Sequence, residues 1–159
     1  MGISQSVDTE LVPGLEIFTS WSIKTWYQKV EDFENNSPAF GWSVNRQIYR
    51  KLFELTQEIA NNSWSIWDIE DIDKQSCLEI FTGICIICDA TFIEKITALF
   101  NLFDFENHGF LRYNAFSIIC KTLNNAICKM TNTQISDERA TQLIIKNAFK
   151  SADSLGHFS

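Results

Sequence analysis

Asp104-Phe-Glu-Asn-His-Gly-Phe-Leu-Arg-Tyr-Asn-Ala115 is the stretch whose reading decides the fold. Its spacing is that of a calcium loop held between two helices. Such a loop places oxygen donors at positions 1, 3, 5 and 12, a glycine at position 6 where the chain turns sharply, and an apolar residue at position 8. Asp104, Glu106, Gly109 and Leu111 meet positions 1, 3, 6 and 8. His108, at position 5, is a poor partner for a hard cation that prefers oxygen. Ala115 stands where a bidentate carboxylate should close the loop.

The flanks agree with that frame. Thr91 and Glu94 form a T-x-x-E capping box, which satisfies amides left unpaired at a helix start. Phe92, Ile96, Leu99, Phe100 and Phe103 then make one apolar stripe at helical spacing. A second helix is expected beyond the loop, through Phe116, Ile119 and Leu123, followed by a more polar connection from Asn124 to Gln134.

Thirty-six residues upstream of Asp104 lies Asp68, and Asp68 to Glu79 can be laid on a second loop. Asp68, Glu70 and Glu79 take positions 1, 3 and 12, so the oxygen supply is better here. The backbone signals are worse. Asp73 replaces the glycine, where left-handed backbone costs a residue with a β-carbon about 1–2 kcal/mol. Ile72 replaces the ligand at position 5, and Gln75 the apolar residue at position 8. One loop keeps the turn and lacks the clamp; the other keeps the clamp and lacks the turn. Asn35 to Arg46 sits where a first loop would be, but carries no Asp or Glu, and Pro38 stiffens it. Ser151 to Ser159 fits positions 1 to 9 of a fourth loop, with Asp153, Gly156 and Phe158 in register, and is expected to belong to a longer chain or to an inert, shortened hand.

Elsewhere the spacing predicts helices over Phe18 to Val30, capped by Thr19 or Ser20, and over Gln47 to Ile59, broken by Asn61-Asn62-Ser63. Glu34 to Ser43 reads as a loop and Leu78 to Cys88 as a strongly apolar helix. A last helix is expected from a cap at Ser136 to about Lys150. The expected fold is all-α, with paired helix–loop–helix units in two lobes: a tail over 1–14, a first lobe over 15–90, and a second over 91–159 that ends inside the fourth loop. The alternative is an unrelated helical bundle with one fortuitous D-x-E-x-x-G.

Composition narrows the function. At 159 residues the chain is one domain, or two small lobes sharing a core. Hydrophobic residues make up 45% and charged residues 21%, enough for a sizeable core. A formal net charge of −7 argues against nucleic acid and against unaided binding to an acidic membrane. The 5 cysteines are an odd count with no secretory signal, which points to reduced thiols in the cytoplasm. The longest apolar run, Ile84 to Cys88, is too short to span a bilayer.

Two segments carry a family resemblance. Leu78-Glu-Ile-Phe-Thr-Gly83 with Glu94-Lys95 and Leu99-Phe-Asn-Leu-Phe-Asp104 resembles the middle of four-EF-hand proteins: E-F-x-x-G, a short break, E-K, then L-F-x-x-F-D, with Ile80 replacing the first Phe. The neuronal calcium sensors, calcineurin B subunits and calaxin-type ciliary proteins share that layout. Phe18 to Tyr27 also resembles the first helix of the neuronal sensors. The resemblance implies a calmodulin-like EF-hand fold. Its calcium ligands carry over only at Asp68, Glu70, Glu79, Asp104 and Glu106, so calcium is expected to be held weakly or lost. Ala115, His108, Asp73 and Gln75 depart from the pattern.

Met1-Gly-Ile-Ser-Gln-Ser6 matches the myristoylation pattern, with Gly2 as acceptor. A single myristoyl chain binds membrane only marginally, and no basic cluster adds to it. Cys85-x-x-Cys88 lacks the partners of a zinc set and reads as two buried thiols. No nucleophile triad, P-loop or dinucleotide fingerprint is present, so no enzyme is expected. All five tryptophans fall before Asp68. They are expected mostly in the core, with an aromatic groove for a partner's amphipathic helix as the functional reading. The expected function is a non-enzymatic adaptor with degenerate calcium loops, binding a helix of a larger protein or of a cytoskeletal or ciliary assembly. The alternatives are a myristoylated, membrane-peripheral calcium sensor and the regulatory segment of a longer protein.

Overall fold

Cys77–Ile87 is apolar on almost every side, and a helix of that kind needs neighbours all round. In the computed structural model it is the central helix. The structure describes residues 11–36, 41–133, 139, 142, 143, 146 and 147. A short 3₁₀ turn, Glu16–Ser20, precedes α1 (Ile23–Asn36), β1 (Ser43–Val44), α2 (Arg46–Leu52), α3 (Gln57–Trp67), β2 (Gln75–Ser76), α4 (Cys77–Ile87), α5 (Phe92–Phe103) and α6 (Tyr113–Thr131). The protein is mostly helical, and β1 and β2 form one short antiparallel ladder, Ser43 opposite Ser76 and Val44 opposite Gln75. Among the described residues no helix is long and apolar enough to cross a membrane.

One apolar cluster runs from Leu15 to Met130. Helix α4 touches α1, α5, α6, β2 and the 3₁₀ turn. Phe18, Phe53, Phe33 and Trp26 surround it as edge-to-face aromatic pairs, and Trp26 Nε1 donates to the Phe81 carbonyl at 2.8 Å. Helix α6 crosses back over α3 and α4, burying Ala126 and Met130. Its end is tied to the chain's beginning by Val12 N–H donating to the Met130 carbonyl at 2.8 Å.

Several boundaries differ from the sequence reading. The expected first helix is two elements, because Trp21 is extended and its carbonyl is taken by the Asp89 amide. Ser22, not Thr19 or Ser20, then caps α1 by accepting from Thr25 N–H, and α1 runs on to Asn36 into the expected loop. The stripe from Gln47 to Ile59 is also split. Glu54 adopts a positive φ of 53°, with Lys29 held against its carboxylate at 2.6 Å, and Thr56 caps α3. Asn61-Asn62-Ser63 lies inside α3. Ser63 is buried there and satisfied, donating to the Ile59 carbonyl and accepting from Tyr49. The polar connection expected from Asn124 is helical to Thr131, since its Ala126, Cys128 and Met130 are buried. It ends at Asn132, left-handed at φ 52°. The capping box at Thr91 is present in full. Gly2, Ser37, Pro38, the Ser136 cap and the run 151–159 lie outside the described residues.

Candidate functional site

The two candidate loops have the same backbone. Asp104 ends α5; its Oδ1 accepts from His108 N–H at 3.1 Å and its Oδ2 from Gly109 N–H at 2.9 Å. Asp68 ends α3; its Oδ1 accepts from Ile72 N–H at 3.1 Å and its Oδ2 from Asp73 N–H at 2.8 Å. In both, the amide three residues on also donates back to the aspartate carbonyl, Asn107 at 3.0 Å and Asp71 at 3.2 Å. Positive φ values recur in step: Asn107 53° and Gly109 74° in one loop, Asp71 53° and Asp73 51° in the other. The repeat inferred from a spacing of thirty-six residues is therefore visible, bond for bond, in the backbone.

Asp73 takes the left-handed position without glycine's freedom. Its carboxylate reaches across to accept from the Arg46 amide at 3.0 Å, one of the unpaired donors at the start of α2. The strain at Asp73 thus accompanies a bond that joins the second loop to the second helix. Gln75, at the position where an apolar residue was expected, forms the ladder with Val44 nonetheless.

Asp68 and Glu79, the first and last carboxylates of the Asp68 loop, face partners within the protein. Asp68 is buried and also accepts from Trp64 Nε1 at 3.2 Å and Gln75 Nε2 at 3.0 Å. Burial pushes its carboxyl up, but the hydrogen bonds from Gln75, the Asp73 and Ile72 amides and Trp64 outweigh it and hold the group below the usual carboxylate value. Glu79 points to α6, where its Oε1 lies 2.5 Å from Lys129 Nζ. That ammonium also donates to the Trp67 carbonyl at 2.9 Å and to Gln75 Oε1 at 3.1 Å. The lysine and glutamate side chains are only 13% and 12% exposed. Glu70 is exposed on the rim of an adjoining cleft of about 580 Å³, lined also by Trp42, Trp67, Ile72 and Lys129.

In the Asp104 loop Asp104 is half-buried and Glu106 is exposed, lying 3.0 Å from His108 Nδ1, while His108 stacks on Phe110. Ala115 packs against the core. Thus Asp68, Glu70 and Glu79 share one loop but do not converge, and neither do Asp104 and Glu106 with any third ligand. Among the described residues no group of three or more His, Cys, Asp or Glu side chains is arranged to hold a metal ion.

The five cysteines are free thiols. Cys85 and Cys88 are buried; burial, with the neighbouring Cys88 adding, pushes the Cys85 thiol up to about 12. A thiol so far from ionising is a poor metal ligand or nucleophile. Trp26, Trp64 and Trp67 are core residues, while Trp21 and Trp42 are half-buried against it.

Lys129 is the participant that the sequence reading missed. No loop spacing includes it, since it lies 54 residues after Gln75. The only local signal is a single Lys on the buried side of a helix, next to Met130. Compared with known protein families, with curated proteins and with solved structures, the chain matches none.

Proposed function

We propose that this chain is a non-enzymatic adaptor of the EF-hand kind, in which the helix–loop–helix frame serves a protein partner and not a calcium signal. The observation that carries the reading is the internal saturation of the Asp68 loop. Asp68 has four donors and Glu79 has an ammonium. A calcium ion would have to break those contacts and desolvate the same carboxylates to gain its own. The third hand lacks a carboxylate at position 12 altogether.

A surface for a partner is available on α5. Phe92, Ile93 and Ile96 are 72%, 70% and 49% exposed. Apolar side chains grouped on one helix face in this way suit the apolar stripe of an amphipathic helix. The partner is a helix of a larger protein, and the cytoplasm, with a cytoskeletal or ciliary assembly, is the proposed setting.

Calorimetry with calcium, against a magnesium background, tests the central point. The expected result is no micromolar site and no change in tryptophan emission. A micromolar site that alters helix content would overturn the reading. Ile93→Asp should leave the fold intact and abolish binding to any partner so identified; undiminished binding removes α5 as the surface.

A further inference from the structure

We infer that the ammonium of Lys129 is a tethered cation that holds Glu79, the last ligand position of the Asp68 loop, and couples that loop to α6. The inference deepens the adaptor reading and rests on it: it names what replaces the ion.

The geometry is that of a filled site. A lysine ammonium has three donors and no acceptor. Here the three go to three oxygens of one helix–loop–helix unit: Glu79 Oε1 at 2.5 Å, Trp67 O at 2.9 Å and Gln75 Oε1 at 3.1 Å. Glu79 holds the loop's last position, Gln75 its eighth, and the Trp67 carbonyl precedes its first. Gln75 passes the contact on, since its amide nitrogen donates to Asp68 Oδ1 at 3.0 Å. Both ends of the loop, Asp68 and Glu79, are therefore joined through one side chain and one charge.

The tether is rigid. Met130, next to Lys129, is buried, and its Sδ lies against the Gly83 backbone of α4; Ala126, one helical turn earlier, is fully buried as well. The ammonium cannot leave Glu79 unless its long side chain swings into the adjoining cleft or α6 lifts from α4. An ion-driven loop loses its bridge whenever the ion leaves. This loop keeps its bridge whatever the calcium concentration, because the cation is part of the chain. Lys74, which lines the same cleft, adds positive charge that disfavours a second cation.

It follows that removing the ammonium should uncover an oxygen site for a hard cation at the three atoms it holds, Glu79 Oε1, Gln75 Oε1 and the Trp67 carbonyl. The test compares the wild type with Lys129→Met, which keeps the unbranched stem, one atom shorter, without the charge. Terbium is the probe, sensitised by Trp64 and Trp67, with calcium as competitor, and thermal unfolding is followed with and without millimolar calcium. The expected result is terbium binding roughly tenfold or more tighter in Lys129→Met than in the wild type, as befits a partly buried carboxylate left without its cation. The lowered melting temperature of the variant should be raised again by calcium, while that of the wild type does not move.

Equal terbium affinity in the two proteins overturns the inference, and so does a lowered melting temperature that calcium leaves unchanged. Should Lys129→Met fail to fold alone, refolding in millimolar calcium applies the same criterion. The pair Lys129→Met with Glu79→Gln, which lacks both charges, should fold but not respond to calcium. A calcium response in that pair refutes the role given to Glu79. The outcomes also separate the two readings. Micromolar calcium binding by the wild type sinks the adaptor proposal, whereas weak and equal binding by wild type and variant sinks only the tethered cation.

Discussion

Replacing Gly83 by alanine should destabilise the protein, against the usual helix rule. In the middle of a helix, Gly→Ala ordinarily gains about 0.8–1.0 kcal/mol. Gly83 lies in α4 facing α3 and α6, and a β-carbon there would sit 2.5 Å from Trp67 Cη2, 3.1 Å from Trp67 Cζ3 and 3.1 Å from Met130 Sδ. Carbon atoms in favourable contact are about 3.5–4.0 Å apart, so the worst overlap is about 1 Å. Trp67 is 0% and Met130 1% exposed, so neither can turn into solvent. Overpacking of this kind costs about 1–3 kcal/mol.

Once the helix gain is subtracted, the expected loss is up to about 2 kcal/mol, a fall in melting temperature of up to roughly 8 °C for a chain of this size. Urea unfolding followed by circular dichroism measures it by linear extrapolation. Trp67→Phe removes both indole atoms that crowd the new methyl group. In that background the alanine should stabilise, and the double-mutant cycle should show a coupling equal to the loss plus the helix gain, which is the whole overpacking cost of about 1–3 kcal/mol. A Gly83→Ala protein more stable than the wild type, or a cycle with no coupling to Trp67, would refute the overpacking between α3, α4 and α6.

Two further outcomes follow from local chemistry. Thr91→Ala should cost about 1 kcal/mol, because Thr91 Oγ1 accepts from the Glu94 amide at 3.2 Å and Glu94 Oε2 from the Thr91 amide at 2.7 Å. Adding Glu94→Ala should cost little more, as the two bonds form one reciprocal cap; full additivity in denaturant unfolding would contradict that. Stability should also fall on the alkaline side. Burial raises Cys85 from 9.0 to about 12 and Tyr49 from 10.0 to about 12, the latter partly offset by the Ser63 hydrogen bond. The folded chain thus keeps protons that the unfolded chain releases. Stability is level below pH 9, then declines as pH rises towards 12. Denaturant midpoints taken under reducing conditions should show this decline, and Cys85→Ala should make it shallower. A midpoint that holds or rises above pH 9 would contradict the burial of these groups.

What could be read along the chain was what near neighbours decide. The capping box at Thr91, the turn at Gly109, the buried apolar Leu111 and the second loop in register with the first all depend on residues within a turn or two of one another. Even the positive φ at Asp73 was legible, because position in the loop dictates it. Boundaries were misread where a distant contact overrules local preference. Trp21 is pulled straight by the Asp89 amide, and Glu54 stands left-handed with Lys29 against its carboxylate. Ser63 stays helical because Tyr49 satisfies its hydroxyl. Nothing near those residues in sequence announces any of these partners.

The sequence by itself therefore determined the mostly helical class, the capped start of α5 and the shape of both loops, since each rests on the conformational limits of a few adjacent residues. Only the tertiary structure decided what became of the carboxylates that remain. Glu79 was one half of a clamp until α6, folding back over α4 to bury Ala126 and Met130, brought Lys129 against it. A charge left partly buried needs an opposite charge within reach, and the packing of α6 is what supplies one here.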